Sequence, residues 1–435
     1  MRPTIAIVGS GVAGLGAAWA LAQRYEITLF EADDRLGGHA NTVDVTTSDG
    51  VVAVDTGFIV YNEVTYPNLT RLFSALDVPT ERSDMSFGCS LDRTLEYAGS
   101  LRGVLAQPSN LRSRRFREML RDIDRFRREG SRYQPAPQEP IGAFLLRLGY
   151  SPGFIDDYLL PLAGAIWSAP RHVIRGFPAI SLLRFLANHG LIEIVGRPRW
   201  RTVTGGSRSY VQRMVAGFAD RIRLSTPVLS AVRFGDQVAL ETTDGVALYD
   251  QVVLATHSDQ ALAILGDDAT DRERALLQAI GYQDNVAVLH SDPDLMPRNR
   301  RVWSSWNAMT TADDGGSPVA SVTYWMNRLQ NLRTNQPLFV SLNPLTEPRP
   351  ELVHGRYTYA HPQFDARAIS AQRELAEIQG RNRTWFAGAY LGYGFHEDGL
   401  QAGLAAAAAL GSPAPWHGTF SPASSTPLLE QRSAA

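Results

Sequence analysis

The chain has 435 residues, 44% hydrophobic and 20% charged, a balance too apolar for a disordered chain and too charged for a polytopic membrane protein. A formal charge of −2 argues against a dedicated nucleic-acid binder, and a lone cysteine, Cys89, excludes intramolecular disulfides, cysteine zinc sites and iron–sulfur clusters. All 42 basic residues are arginine, which also excludes Schiff-base, P-loop and general-base lysines.

At roughly 150 residues per domain, the length predicts two or three domains. Ile5 to Gln23 carries no charge and follows Arg2, so it mimics a signal peptide or a membrane span. Its glycines argue otherwise, and the expectation is a soluble, cytoplasmic protein. Thr4 to Val8 is a β-branched run that predicts a buried strand. Gly9-Ser10-Gly11-Val12-Ala13-Gly14 follows, then an Ala/Leu-rich helical stretch from Leu15 to Gln23. Glu26 to Phe30 predicts a second strand, ending at Glu31, 22 residues after Gly9. A glycine pattern between strand and helix, with an acid at that distance, reads as a dinucleotide-binding βαβ unit. Glycines allow the backbone to approach a pyrophosphate, and the helix N-terminus offers unpaired N–H groups and a positive dipole end. Glu31 can accept bonds from ribose hydroxyls and would repel a 2′-phosphate, favouring FAD or NAD over NADP.

Arg35-Leu36-Gly37-Gly38-His39 and Asp55-Thr56-Gly57-Phe58 suggest further glycine turns beside the dinucleotide. Leu111 to Arg132 holds nine arginines and four acids, with Phe116, Met119, Leu120, Ile123 and Phe126 at helical spacing. It reads either as a surface helix or as a patch meeting anionic lipid at the inner membrane surface. Tyr133 to Pro140 is a proline-rich break, and residues 141–200 read as helices. Thr204-Gly205-Gly206-Ser207 precedes another helical stretch. Arg223 to Ala255 predicts three or four short strands with an Asp244-Gly245 hairpin. Residues 285–345 alternate in strand fashion and predict an antiparallel sheet lined with Trp303, Trp306, Tyr324 and Trp325. Near the C-terminus, Trp385 to Ala389 runs into a second glycine-rich loop, followed by a helix starting near Gly399. The tail from 412 to 435, rich in Pro, Ser and Ala, is expected to be disordered.

These motifs together resemble the flavin-containing amine oxidase, phytoene desaturase and protoporphyrinogen oxidase superfamily. GSGVAG followed by EADDRLGGH is similar to its dinucleotide fingerprint, TVTGGSRSYV to its internal Gly-Gly motif, and TPVLSAV to its adenine-side strand. QVVLATHSDQAL resembles its Ala-Thr strand end, and WFAGAYLGYGFHEDGLQAG its C-terminal flavin segment. The resemblance implies an α/β protein: a Rossmann-like FAD-binding domain from 1–70, 200–260 and 380–411, with an inserted α+β substrate domain from 71–199 and 261–379. It implies FAD contacts from Gly9, Gly11, Val12, Ala13 and Gly14, and from Glu31, Ala32, Arg35, Gly37, Gly38 and His39. Thr56, Gly57, Phe58 and the Val228 backbone join them, as do Gly388, Ala389, Asp398, Gly399 and Leu400. Three departures stand out. His39 replaces the usual arginine, Ala389 replaces a frequent acid, and the lysine that holds a water in amine oxidases is missing.

A narrower resemblance spans nearly the whole chain. RLGGHANT, AIWSAP, NHGLIEI, PRWRTVTGGSRSYV, TYWMNRLQ, SLNP and GYGFHEDGLQAG are similar to a bacterial group of NAD/FAD-binding proteins. That group is associated with cyclopropane-fatty-acid-synthase-like methyltransferases and includes a methyl-fatty-acid desaturase of furan fatty acid biosynthesis. It implies a lipid or fatty acyl substrate and a functional link to a fatty-acid methyltransferase. Desaturation would use flavin N5 as hydride acceptor and a base for the second proton, with His189, His396 and Glu397 as candidates. The aromatic residues would line an acyl tunnel or simply fill the core, and Arg199, Arg201 or the 112–132 helix would receive the head group. Rival readings are a double-bond isomerase, an amine oxidase, and a non-enzymatic FAD-binding partner of a methyltransferase. The remaining histidines lack metal-ligand spacing, and no metal is expected.

Overall fold

Five parallel strands drawn from both ends and the middle of the chain form the first sheet. The computed structural model describes residues 2–136, 138–167, 171–188, 198–312 and 318–418. In it the strands lie in the order Ile222–Arg223, Glu26–Phe30, Thr4–Val8, Gln251–Leu254, Thr384–Phe386. A parallel sheet is covered on both faces, so its central strand must be apolar on both sides. Thr4–Val8 meets that demand by alternation. Ile5 and Ile7 pack with helices Val12–Leu21 and His396–Ala409, whereas Ala6 and Val8 pack with Val238, Leu240 and Tyr249. The latter three belong to an antiparallel meander, Val228–Phe234, Gln237–Thr242 and Gly245–Tyr249, that covers the other face. These are the strands expected between Arg223 and Ala255.

Helices Val12–Leu21 and His396–Ala409 approach closely because small residues line their contact. A Cβ on Gly403 would lie 2.0 Å from the Ala13 carbonyl oxygen, and one on Gly399 would lie 2.9 Å from Val12 Cγ1. Leu400, fully buried, fills the notch at Gly16.

A second sheet carries seven strands, in the order Val353–Gln363, Gly281–His290, Phe339–Leu342, Pro318–Trp325, Trp306–Ala312, Phe87–Leu91, Leu95–Ala98. All its pairs are antiparallel except Trp306–Ala312 with Phe87–Leu91. The strands within 285–345 were anticipated. The extension to Phe87–Ala98 was not, because its pairing residues lie more than 200 positions away in sequence. Helices Arg114–Glu129, Ile141–Arg147 and Ala179–Asn188 contribute to the same core as this sheet. The architecture is the expected α/β one, a Rossmann-like sheet joined to an α+β unit.

Two expectations change. The tail does not loosen at 412. Ser412 Oγ donates to the Ala20 carbonyl at 2.6 Å, and Trp416 stacks on Trp19 while its Nε1 donates to Asn68 Oδ1. Residues 419–435 lie outside the described residues. The arginine-rich helix turns Phe116, Met119, Ile123 and Phe126 into the core, so that apolar face cannot enter a bilayer. Several of its arginines pair with acids one turn away, Arg114 with Glu118, Arg125 with Glu129 and Arg128 with Asp124. Among the described residues, no helix is long and apolar enough to cross a membrane.

Overpacking the helix contact should be costly. Gly403→Ala is expected to lower stability by about 1–3 kcal/mol, whereas Gly217→Ala, where a Cβ meets nothing within 4 Å, should leave it unchanged. Chemical denaturation of the two variants checks this.

Candidate functional site

The three glycines of the first loop serve different purposes. Gly9 sits at φ +99°, and a Cβ there would lie 2.7 Å from the Ala255 carbonyl oxygen. A Cβ on Gly14 would lie 1.9 Å from the Gly9 carbonyl oxygen. Both glycines are therefore needed for the chain to fold. Gly11 differs: its φ is −62° and a Cβ there would meet nothing within 4 Å. It borders open space at the N-terminus of helix Val12–Leu21, with Val12 and Ala13 in the first turn. Gly37 and Gly38 both have positive φ, and Gly38 lies against the Gly11 backbone.

Glu31 stands at the end of its strand and binds this loop. Its Oε2 accepts from Ser10 N at 2.8 Å and Ser10 Oγ at 2.5 Å, and its Oε1 accepts from Asp33 N at 3.0 Å. The Thr226 N–H donates to the Glu31 carbonyl, which brings the start of the Val228 strand beside it. Ala32 next to it is exposed. Glu31 thus shapes the glycine loop.

Next to the loop lies an imidazole and phenol stack that the sequence did not reveal. Arg35 Nη1 donates to the Gly38 carbonyl at 2.9 Å. Gly57 passes so close to His39 that a Cβ would lie 2.1 Å from the His39 carbonyl oxygen, which also accepts from Phe58 N. The His39 ring lies 4.9 Å from Tyr359, 5.4 Å from His361 and 6.4 Å from His257. Tyr359 OH is 2.7 Å from Thr56 Oγ1 and accepts from Asn41 Nδ2. Burial pulls His39 and His257 below their ordinary range and His361 down to about 4, so all three rings are neutral at pH 7. His257 follows the Ala-Thr strand end, but neither it nor strand Val353–Gln363, which supplies Tyr359 and His361, carries a sequence signal for this role.

Asp55, also missed, ties these parts together. Its Oδ1 accepts from Thr42 Oγ1 at 2.6 Å and from Ser207 N and Oγ at 2.9 and 2.8 Å. Its Oδ2 accepts from Gln330 Nε2 at 2.9 Å. Burial lifts it to about 6 against those hydrogen bonds.

The C-terminal helix begins at His396, three residues before the expected start. Gly388 leads into it in extended conformation, and Ala389 opens a short turn. Asp398 Oδ2 accepts from Phe395 N at 2.9 Å, closing the first helical turn, and burial raises it to about 6. Glu397 reaches a neighbouring helix. It accepts from Asn68 N and Nδ2, both at 2.8 Å, and from Leu69 N at 3.0 Å, capping helix Pro67–Ala75. Burial outweighs those donors and lifts it to about 7. The His396 ring stacks on Phe58 at 3.8 Å, and its Nε2 lies 2.6 Å from Tyr210 OH. Burial holds it down to about 3. Glu397 is thus engaged as a helix cap, whereas His396 pairs with Tyr210 and stacks on Phe58 yet keeps accessible surface. His189 lies outside the described residues. Arg201 is engaged with Thr80 and Glu63, while Arg199 is exposed.

Of the aromatic residues, Tyr324 and Trp306 pack in the core and Trp303 meets Trp325 edge-on. Phe185, buried in the same core, stacks on Phe395 at 4.9 Å, beside the start of the C-terminal helix. The side chain of Trp167 is outside the described residues. Cys89 is fully buried within the seven-stranded sheet, its thiol pushed up to about 12, so it is no reactive group.

Gly11, His39, Phe58, His361 and His396 each retain accessible surface and adjoin one another through the contacts above, which makes them one continuous lining of a cleft. The N-termini of two helices open on that cleft, and Gly11 leaves room for a pyrophosphate at one of them. The donor set fits a dinucleotide cofactor.

A family model described as flavin containing amine oxidoreductase matches residues 12–331. Among solved structures, wild-type putrescine oxidase bound to putrescine is similar at a TM-score of 0.68 and 16% identity, covering 94% of this chain and 99% of that one. A CLA-producing fatty acid isomerase from P. acnes is similar at 0.63 and 15% identity, over 92% of this chain and 97% of that one. Cyclohexylamine oxidase from Brevibacterium oxydans is similar at 0.63 and 16% identity, over 94% and 99%. No curated protein matches the chain in sequence. At these identities the likeness shows a shared fold.

The different roles of the glycines can be separated experimentally. Gly11→Val should fold with a loss of about 1 kcal/mol or less yet retain no flavin on purification. Gly14→Val should lose more than about 3 kcal/mol and flavin together. Flavin absorbance and denaturation of each variant distinguish the two, and a Gly11→Val variant with stoichiometric flavin would contradict the assignment of the cleft.

Proposed function

The chain belongs to the flavin containing amine oxidoreductase family and is an FAD-dependent oxidoreductase, and we propose that it desaturates an unsaturated or methyl-branched fatty acyl chain. When bound, FAD supplies the two-electron acceptor for such an oxidation. The residues that would hold it are the Gly9–Gly14 loop, Glu31, the Gly37-Gly38-His39 turn and the first turn of the C-terminal helix.

The observation that carries the acyl reading is the commitment of three buried carboxylates at or near the cleft lining. Asp55, Glu397 and Asp398 each accept hydrogen bonds from backbone or side-chain donors within the fold. None is left to pair with an alkylammonium, and the imidazoles beside them are neutral. A buried ammonium without an anion is costly, whereas an acyl chain asks only for apolar walls. Phe58 and Phe395, both partly accessible, provide such walls among the described residues. The absence of lysine throughout the chain points the same way, since amine oxidases of this superfamily use one. The motifs shared with the methyltransferase-associated group support a methyl-branched substrate and a functional link to a lipid methyltransferase.

Double-bond isomerisation is the second reading, favoured by the likeness to a fatty acid isomerase. It needs the same apolar cleft but returns the hydride, with no net oxidation.

Product mass separates the two. Anaerobic mixing of flavin-loaded protein with lipid extract of its host should bleach the absorbance near roughly 450 nm that bound flavin gives, and a fatty acid should lose two hydrogens by mass spectrometry. Unchanged mass with a moved double bond would select isomerisation. No reaction with any lipid would overturn both readings.

A further inference from the structure

From the corner formed around Glu96, we infer that this protein docks on an anionic phospholipid bilayer through two leucines and six arginines contributed by two distant segments. The first segment is Leu101 to Arg117. Leu101 and Leu105 are 76% and 46% exposed and lie one helical turn apart, with Leu105 N donating to the Leu101 carbonyl. They therefore share one outward face, and Leu111 adds a third exposed apolar side chain. Arg102, Arg112 and Arg117 belong to the same segment and are exposed. Within 101–121 there are six arginines and one acid, Glu118, in a chain whose formal charge is −2.

The second segment is Arg298-Asn299-Arg300-Arg301, some 190 residues later, and its three arginines are also exposed. The fold brings it here through a buried carboxylate. Glu96 Oε1 accepts from Arg298 N at 2.9 Å and Glu96 Oε2 from Asn299 N at 2.8 Å. Asn110 Nδ2 donates to the Glu96 carbonyl at 3.0 Å, and Asn299 Nδ2 donates to the Ala106 carbonyl at 2.8 Å. Val302 completes the join by packing with Ala98 and Ala106. Among the described residues, none of Arg102, Arg112, Arg117, Arg298, Arg300 and Arg301 has a carboxylate within ion-pair distance.

Six exposed cations with no carboxylate at ion-pair distance, close to exposed leucines, match a surface that presents negative charge over an apolar interior. That is the chemistry of an anionic bilayer: head groups attract the guanidinium groups while leucines enter the acyl boundary. A nucleic acid would satisfy the arginines but gives the leucines nothing to bury in. The helix that carries much of the positive charge, Arg114–Glu129, does not insert; its apolar face is in the core. Insertion falls instead to the short helix Leu101–Val104 and the residue after it. Docking here is independent of which reaction the flavin site performs, so vesicle binding and turnover can fail separately.

The test is flotation of the full-length, flavin-loaded protein with vesicles of phosphatidylglycerol and phosphatidylcholine, or of phosphatidylcholine alone. The wild type should float with the anionic vesicles at low salt, stay behind with the neutral ones, and be released by high salt. The triple variant R298E/R300E/R301E should partition on the order of 100-fold more weakly, given the attraction of each arginine to an anionic surface. L101S/L105S should lose about tenfold from the lost apolar burial. R24E/R213E, exposed arginines of the five-stranded-sheet half, should float like the wild type. All these positions are exposed, and flavin content and melting temperature verify each variant. A wild type that stays behind with anionic vesicles overturns the inference without any variant. So does undiminished flotation of either corner variant, or retention on RNA that the arginine variant loses while vesicle binding is unaffected.

Discussion

The close approach of helix Val12–Leu21 to helix His396–Ala409 is the constraint on which the site depends. These segments are separated by almost the whole chain, yet the Ala13 carbonyl oxygen sits where a Cβ of Gly403 would be. Only small residues allow that distance, and only that distance brings two helix N-termini to the same edge of the five-stranded sheet. The partial positive charge at each end then faces one cleft. Gly16 with Leu400 and Gly399 with Val12 repeat the same fit along the contact.

Around that contact, buried carboxylates work as structural anchors. Glu397 caps a neighbouring helix, Asp398 closes the first turn of its own, Asp55 joins the Gly205-Gly206 loop to the second sheet's side through Gln330, and Glu96 gathers two surface segments. Each accepts several N–H or O–H donors, which makes a buried acid tolerable and leaves it unavailable to a ligand. The acyl reading of the cleft follows from that engagement, and so does the position of the arginine corner.

Local pattern made the dinucleotide end legible. A β-branched run, three glycines at fixed spacing and a terminal acid specify a strand, a turn and a helix within about 30 residues, and the structure has them at Thr4–Val8, Gly9–Gly14 and Val12–Leu21. The C-terminal helix was legible in kind but not in phase, because its start is set by Asp398 reaching back to Phe395 rather than by the glycine. What stayed hidden is what long-range pairing creates. His361 and Tyr359 meet His39 only because strand Val353–Gln363 pairs with Gly281–His290. Glu397 read as a base because a lone acid in a flavin-like motif carries no sign of the helix it caps. Within 111–132 the apolar residues at helical spacing belong to the core, which fits a surface helix, and the exposed leucines of the corner, Leu101 and Leu105, lie upstream of it.

The central claim is that this flavin site oxidises an acyl chain rather than an amine. It is tested most directly by the rate of anaerobic flavin bleaching with an unsaturated or methyl-branched fatty acyl substrate and with an alkylamine of equal length. The account predicts bleaching by the acyl substrate and none by the amine. Bleaching by the amine with none by the acyl chain would contradict it, and would mean that a carboxylate assigned here to the fold is released to bind an ammonium.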